Sequence, residues 1–300
     1  MPLLKTEAEK LSNNQLVAGV ITEMIGRDDL FAILPFTRVN GKAYVYNREG
    51  ELATAAWLDP NEEIPESASK FVEVTTNLRI LAGDVDVDKF LMETMSDTNS
   101  QLAIQLAAKA KAVGREFKRV LAEGDHEKKA KEFDGISKLV TATQKLDAKG
   151  AALTFSMLDE LLDKVPLGAD CLMMRSGTYR AYLAMLRATS GTNAPLVMME
   201  NFGRPMLTHN GVPIIVNDNI ATVKYNGGSG EIDACPIYAL RLNEVDGLHG
   251  LYGGNNAGIV VENIGTVQNK DAIRTRLKWY CGLALKSTKS LAALVNVPNV

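Results

Sequence analysis

Residues 96–124, SDTNSQLAIQLAAKAKAVGREFKRVLAEG, constrain the fold more than any other stretch. Ser96 and Asp97 suit an N-cap, Ala, Leu, Lys, Gln and Arg fill the interior, and Gly124 stands where helices commonly stop. At about 100° per residue, Leu102, Leu106, Ala110, Val113, Phe117 and Val120 fall on one face. Lys111, Arg115, Lys118 and Arg119 cluster on the opposite face. About 25 residues at about 1.5 Å each make a rod of about 37 Å, roughly twice the average helix. Such a rod, greasy on one side only, predicts a beam lying across a sheet. An ordinary surface helix with a solvated basic face has the same pattern, and pattern alone does not choose between them.

The chain has 300 residues, 46% of them hydrophobic and 23% charged, with a net charge of −3. That composition supports a real core in one large domain or two modest ones. It excludes a disordered chain and a globally basic nucleic-acid binder. No apolar run reaches the roughly 18 residues that a membrane span needs, so no membrane partner is expected. The opening MPLLKTEAEKLSNNQ is polar and lacks a signal-peptide core, which predicts synthesis in the cytoplasm. Cys171, Cys235 and Cys281 stand singly on apolar segments, as buried free thiols do.

Before the rod, Asn13–Gly26 reads as a short helix and FAILPF (31–36) as an extended apolar segment, together a candidate docking arm. Gly41–Asn47 alternates Ala43, Val45 and Asn47 against Tyr44 and Tyr46, a strand pattern. Phe71–Leu81 reads as a second strand, with Val72, Val74 and Thr76 on one side. Between them, Glu49–Glu66 carries Glu49, Glu51, Asp59, Glu62, Glu63 and Glu66, no basic residue, and Trp57. An insertion too polar to build a core is unusual unless it reaches something else. An acidic extension with an aromatic anchor fits an intersubunit contact; a mobile loop is the plain alternative.

After the rod, Thr154–Val165 reads as a helix with Ser156 as cap and Asp159 completing a capping box. A strand at Asp170–Met174, a helix from Ser176 to about Thr189, and strands at Val212–Val216, Ile237–Leu242 and Gly258–Glu262 follow. Helices and strands interleave without a βαβ period, which predicts an α+β class with a mixed sheet.

Signs of chemistry are sparse. The glycine cluster Gly247–Gly258 neither opens a helix after a strand nor contains a Lys-Ser/Thr pair, so it predicts a loop needing positive φ and close backbone approach. His126, His209 and His249 lie far apart and show no metal-ligand spacing. Carboxylate pairs such as Glu62–Glu63 and Asp28–Asp29 sit on solvated segments, and Ser176 is not in a nucleophile elbow. No catalytic, cofactor or metal site is expected.

Several segments, taken in order, resemble the major capsid proteins of tailed phages, with their Hong Kong 97-like fold. An N-terminal arm, a two-stranded extended loop and Val85–Phe90 (VDVDKF) precede the long helix. Gly124–Val140 is similar to the family's turn after its spine helix, with FDGI (Phe133–Ile136) starting a short helix. His209–Ile220, HNGVPIIVNDNI, is similar to the family's G-x-P-I-x-x-x-D-x-I stretch, and Cys235–Asn243 to the strand after it. Ala272–Leu294 resembles the closing strand pair.

The resemblance implies an N-terminal arm at 1–36, an extended loop at 37–82, and a peripheral domain at 83–152 and 255–287 that holds the spine helix 96–124. An axial domain takes 153–254 and 288–300. It also implies a structural protein, not an enzyme, that self-assembles through hexamers and pentamers into an icosahedral head, with arm and loop lying over neighbouring subunits. Implied partners are the portal, scaffolding and decoration proteins, and packaged double-stranded DNA met by nonspecific contact. Two departures stand out. Fewer than 40 residues precede the extended loop, so no fused scaffolding domain is expected, with a separate scaffold or a cleaved precursor left open, and Glu49–Glu66 has no lysine for the lysine–asparagine crosslink that some members form. An encapsulin-type compartment carrying enzyme cargo is the alternative within the fold, and an α+β enzyme the alternative outside it.

Overall fold

The computed structural model describes residues 30, 33–51, 53–59, 63, 66–90, 101–190, 196–198, 205–227, 230–254 and 258–299. The expected helix Asn13–Gly26, the cap Ser96–Asp97 and Glu62 lie outside them. In chain order the strands β1 (Phe36–Val39), β2 (Ala43–Glu51), β3 (Lys70–Asn77) and β4 (Arg79–Asp88) lead to helix α1 (Gln101–Glu123). Helix α2 (Ile136–Leu139), β5 (Lys145–Asp147), α3 (Phe155–Asp163), β6 (Cys171–Met174) and α4 (Ser176–Ser190) come next. Strands β7 (Leu196–Met198), β8 (Pro205–His209), β9 (Val212–Val216), β10 (Val223–Asn226), β11 (Glu231–Leu240) and β12 (Leu248–Gly253) follow. The last are β13 (Val260–Thr266), β14 (Ala272–Leu285) and β15 (Leu291–Pro298).

The strands form a five-stranded sheet in the order β1-β12-β14-β13 with β4 on β14, and an eight-stranded sheet in the order β5-β15-β11-β6-β9-β8-β7 with β10 on β11. A separate two-stranded ribbon, β2-β3, completes them. Pairs β1–β12, β6–β9 and β5–β15 are parallel and the others antiparallel, the mixed α+β arrangement expected.

The rod lies across the five-stranded sheet, as its periodicity predicts. Leu106, Ala110, Val113, Phe117 and Val120 are buried with Val85 and Val87 of β4 and Leu277 and Trp279 of β14. Strand β14 alternates with period two. Thr275, Leu277, Trp279 and Cys281 are buried, while Arg274, Arg276, Lys278 and Tyr280 reach the opposite, open face. In the second sheet, Cys171 and Met173 of β6 belong to the cluster under α1, and Leu172 and Met174 to a second cluster with Leu158, Leu161 and Tyr182 of α3 and α4. Burial on both faces explains why CLMM is an unbroken apolar run.

Four details depart from the sequence reading. The second expected strand, Phe71–Leu81, divides at Leu78: β3 pairs back on β2, and β4 crosses to β14, which offers it partners from Ala272↔Asp88 to Cys281↔Arg79. Part of Gly247–Gly258 is a strand, β12, rather than a loop. A Cβ on Gly250 would lie 2.3 Å from the Phe36 ring, so close approach is real, and among the described residues of the segment positive φ is confined to Gly254 and Gly258. Helix α3 is capped by Thr154, whose Oγ1 accepts from Met157 N at 3.3 Å, and Ser156 lies inside the helix. Gly124 does follow the helix end, but space rather than φ demands it: a Cβ there would sit 2.3 Å from Phe133 O and 2.5 Å from Val120 O.

Gly135, in FDGI, locks the same turn. Its amide donates to Gly124 O at 2.8 Å, and a Cβ would meet Val120 O at 2.4 Å and Gly124 N at 2.6 Å. Backbone cannot yield as a side-chain tip does. Gly135→Ala is therefore expected to cost about 1–3 kcal/mol, measured by chemical denaturation of the unassembled subunit; an unchanged midpoint would contradict this.

Candidate interaction surfaces

The ribbon β2-β3 runs from Ala43↔Asn77 at its root to Glu51↔Lys70 at its far end. The nine residues of β2 at about 3.3 Å each make an arm of about 30 Å. Beyond the ladder, Ala53 N donates to Ser69 Oγ at 2.9 Å and Ser67 Oγ to Thr54 O at 2.9 Å, so the two limbs stay together. Trp57 is 103% exposed and Leu58 41%. Asp59, Glu63 and Glu66 are exposed around them, while Glu49 and Glu51 belong to β2, opposite Phe71 and Lys70.

The basic face of α1 divides in two. Lys111 and Arg115 are exposed; Lys118 and Arg119 are half-buried, and burial lowers the Lys118 pKa. Arg119 forks onto Glu116 (3.0 and 2.6 Å) and also binds Glu132, and its hydrogen bond to Glu116 leads in raising its pKa. Lys128 pairs with Asp125 at 3.5 Å and Lys129 with Glu132 at 3.1 Å. The periodicity of the helix groups only cations on this face; the fold threads the carboxylates Glu116 and Glu132 among them. Long-range pairs such as Arg119–Glu132 leave no trace in local periodicity.

A third surface is the open face of the five-stranded sheet. Arg274 meets Asp86 with two bonds of 2.7 Å, Arg276 meets Asp84 at 2.7 and 2.9 Å, and Lys278 pairs with Glu262. The Arg276–Asp84 and Lys278–Glu262 pairs border a cleft of about 490 Å³ that Ile80 and Tyr280 also line. Hydrogen bonds from Arg276 and Arg274 hold the Asp84 and Asp86 carboxyls below the usual range. A depressed folded-state pKa gives stability that is present above the ordinary carboxylate pKa and is lost as pH falls through the folded value. The melting temperature of the unassembled subunit is thus expected to fall below about pH 4, and Asp84→Asn with Asp86→Asn to shrink that fall. Glu116, Asp125, Asp147 and Asp218 are lowered too, so part of the slope should remain. An undiminished slope would show the ladder to be idle.

The root of the ribbon was not singled out by sequence reasoning. Tyr44, Tyr46 and Arg48 share its inner face. Tyr46 OH donates to Leu285 O at 2.7 Å, and Arg48 donates to Lys286 O at 2.8 Å and Leu285 O at 2.6 Å. Tyr44 meets buried His249 edge-on at 5.7 Å, and burial lowers the His249 pKa. The period-two series was the available signal.

Of the other histidines, His126 joins Asp125 and Asp134 within 4.8 Å. Asp134 already accepts from His126 N at 3.1 Å and faces its Nδ1 at 2.7 Å, so the group closes a turn. His209 faces Asp159 Oδ1 at 2.8 Å and Tyr182 OH at 3.2 Å, tying the β8–β9 turn to α3 and α4. Asp218, in the GVPIIVNDNI stretch, accepts from Ser176 N at 3.1 Å and so caps α4 from another element. All three cysteines are buried; desolvation pushes the Cys281 thiol up to about 12 and raises Cys171 and Cys235. Such thiols stay protonated and unreactive.

The sequence model described as the phage capsid family matches residues 10–249. No curated protein matches the sequence. Among solved structures, the chain is similar to the SrpI encapsulin of Synechococcus elongatus PCC 7942, with a TM-score of 0.72 and 22% identity over 90% of this chain and 88% of that one. It is also similar to a structure from Mycobacterium phage Cain, with a TM-score of 0.63 and 14% identity over 90% of each chain. A third likeness is to the capsid of a native GTA particle, with a TM-score of 0.62 and 13% identity over 89% of each chain. The fold is the Hong Kong 97-like capsid fold.

Proposed function

The chain belongs to the phage capsid family, and on that premise we propose that it is the major capsid protein of a tailed double-stranded DNA phage. It assembles through hexamers and pentamers into an icosahedral head shell that encloses the genome. Its role is structural rather than enzymatic, its place is the virion, and it is made in the host cytoplasm. Residues 1–36 act as the arm, 37–82 as the extended loop, 83–152 and 255–287 as the peripheral domain, and 153–254 and 288–300 as the axial domain.

The observation that carries this reading is the ribbon tip. A lone subunit holds Trp57 wholly in solvent at the end of an arm of about 30 Å, among carboxylates that repel one another. A neighbouring copy supplies the surface that the tip lacks, and one such contact repeated around a ring closes sixfold or fivefold. The exposed cations Lys111 and Arg115 suit weak, nonspecific contact with packaged DNA. The portal, with scaffolding or decoration proteins where the particle uses them, completes the set of partners.

Sedimentation and negative-stain microscopy of the recombinant protein, with a scaffold where one is required, should show capsomers or shells; a monomer under all conditions would refute the reading. With no lysine in Glu49–Glu66, denatured mature particles should run as a single band near 32.6 kDa. Boiling-resistant ladders would show the loop reading, or the crosslink inference, to be wrong. The likeness to an encapsulin at TM-score 0.72 supports a second reading, a compartment for cargo protein. Nuclease-protected DNA inside native particles favours the phage head, and a packaged enzyme favours the compartment.

A further inference from the structure

The ribbon joins the body through side-chain donors on backbone acceptors. Tyr46 and Arg48 converge on the carbonyls of Leu285 and Lys286, where β14 ends and the chain turns into β15. Arg48 also lies 6.0 Å from the Tyr46 ring centroid, and the Lys286 ammonium 5.9 Å from that of Tyr44. Tyr44 and Tyr46 meet tilted at 5.5 Å, and Tyr44 rests against His249. One side of the ribbon root is thus held at several points to the junction between the two sheets.

We propose that Tyr46 and Arg48 form a positioning clamp that sets the angle at which the ribbon leaves the subunit, and thereby which ring geometry a neighbouring copy can complete. The proposal rests on the shell reading above. Leverage makes this anchor decisive: Trp57 stands nine residues beyond Arg48, up to about 30 Å of extended chain, over which a swing of about 10° moves the tip by up to about 5 Å. That distance separates a seated aromatic from a missed one. The guanidinium fork reaches two successive carbonyls at once, which a lysine ammonium on a single flexible stem does not reproduce. The tyrosine hydroxyl supplies a second, independent donor to the first of those carbonyls. The clamp touches neither the tip nor α1, so it changes the position of the contact without changing its chemistry.

The test uses the full chain with Arg48→Ala, Arg48→Lys and Tyr46→Phe. Hydrogen exchange on unassembled subunits should show amides of β2 and β3 exchanging roughly tenfold faster in Arg48→Ala and Arg48→Lys. Exchange in α1 and β14, and the melting temperature, should change little. Assembled particles should then lose their single diameter, giving mixed sizes and open sheets, where a merely stabilising contact would lower yield and leave size alone. Tyr46→Phe, which removes one hydroxyl, should show a weaker form of both effects and serves if Arg48→Ala fails to fold. Unchanged ribbon exchange in every folded variant, or particles of wild-type diameter, would overturn the clamp. If the wild-type chain forms no shell at all, the shell reading falls, and the exchange measurement still decides whether the clamp exists.

Discussion

Phe117→Ala is expected to lower the stability of the unassembled subunit by about 3–5 kcal/mol. Phe117 is 1% exposed and lies where four elements meet. Its ring stacks on Trp279 of β14 at 4.4 Å and 26°, faces Phe133 of the following turn at 5.6 Å, and meets Phe36 of β1 at 6.4 Å. Alanine would leave a void whose walls belong to a helix, a turn and two strands of one sheet, and these cannot close together without breaking other contacts. Since domains hold only about 5–15 kcal/mol in total, the variant should be largely unable to assemble. Denaturant titration of the isolated subunit checks this, with Phe117→Leu as a milder control. A loss below about 1 kcal/mol, the scale of a single buried methylene, would show that the rod is held mainly elsewhere.

Trp57→Ala is expected to weaken shells more than Glu62→Gln combined with Glu63→Gln. Exposed ion pairs contribute about 0–1 kcal/mol each and weaken with salt. A tryptophan buried at the centre of an interface contributes about 2 kcal/mol or more, and Trp57 is fully available for such burial. The carboxylates steer docking and set register. Raising salt should therefore slow assembly and barely affect finished shells. Shell yield and particle melting temperature measure the ranking; a more damaging charge variant, or shells that fall apart in moderate salt, would reverse it.

What was legible in the sequence was what repeats locally. The period of α1 fixed its buried face residue by residue, because Leu106, Ala110, Val113 and Phe117 recur with the helical turn. Tyr44 and Tyr46 set the ribbon's inner face by their period of two. Contacts made by sequence-distant groups were not legible. Arg48 and Leu285 are 237 residues apart, and Arg274 and Asp86 are 188. The carboxylates among the cations of α1 were visible as residues but not as partners. Gly250 read as part of a loop because its real constraint, the Phe36 ring, comes from a distant strand. The arm helix Asn13–Gly26 remains an expectation.

Strands β14 and β15 come later in the chain than any other described element, yet each is interior to its sheet: β14 pairs with β4, β12 and β13, and β15 with β5 and β11. A chain emerging from the ribosome at about 5–20 residues per second therefore carries both sheets incomplete until its last strands arrive. Until Trp279 is made, Phe117 has no ring to stack on, and until Leu285 and Lys286 are made, Arg48 has no carbonyl to grip. By the order of synthesis, the ribbon can take its seat only after β14 is complete, so an unfinished chain holds it unaimed.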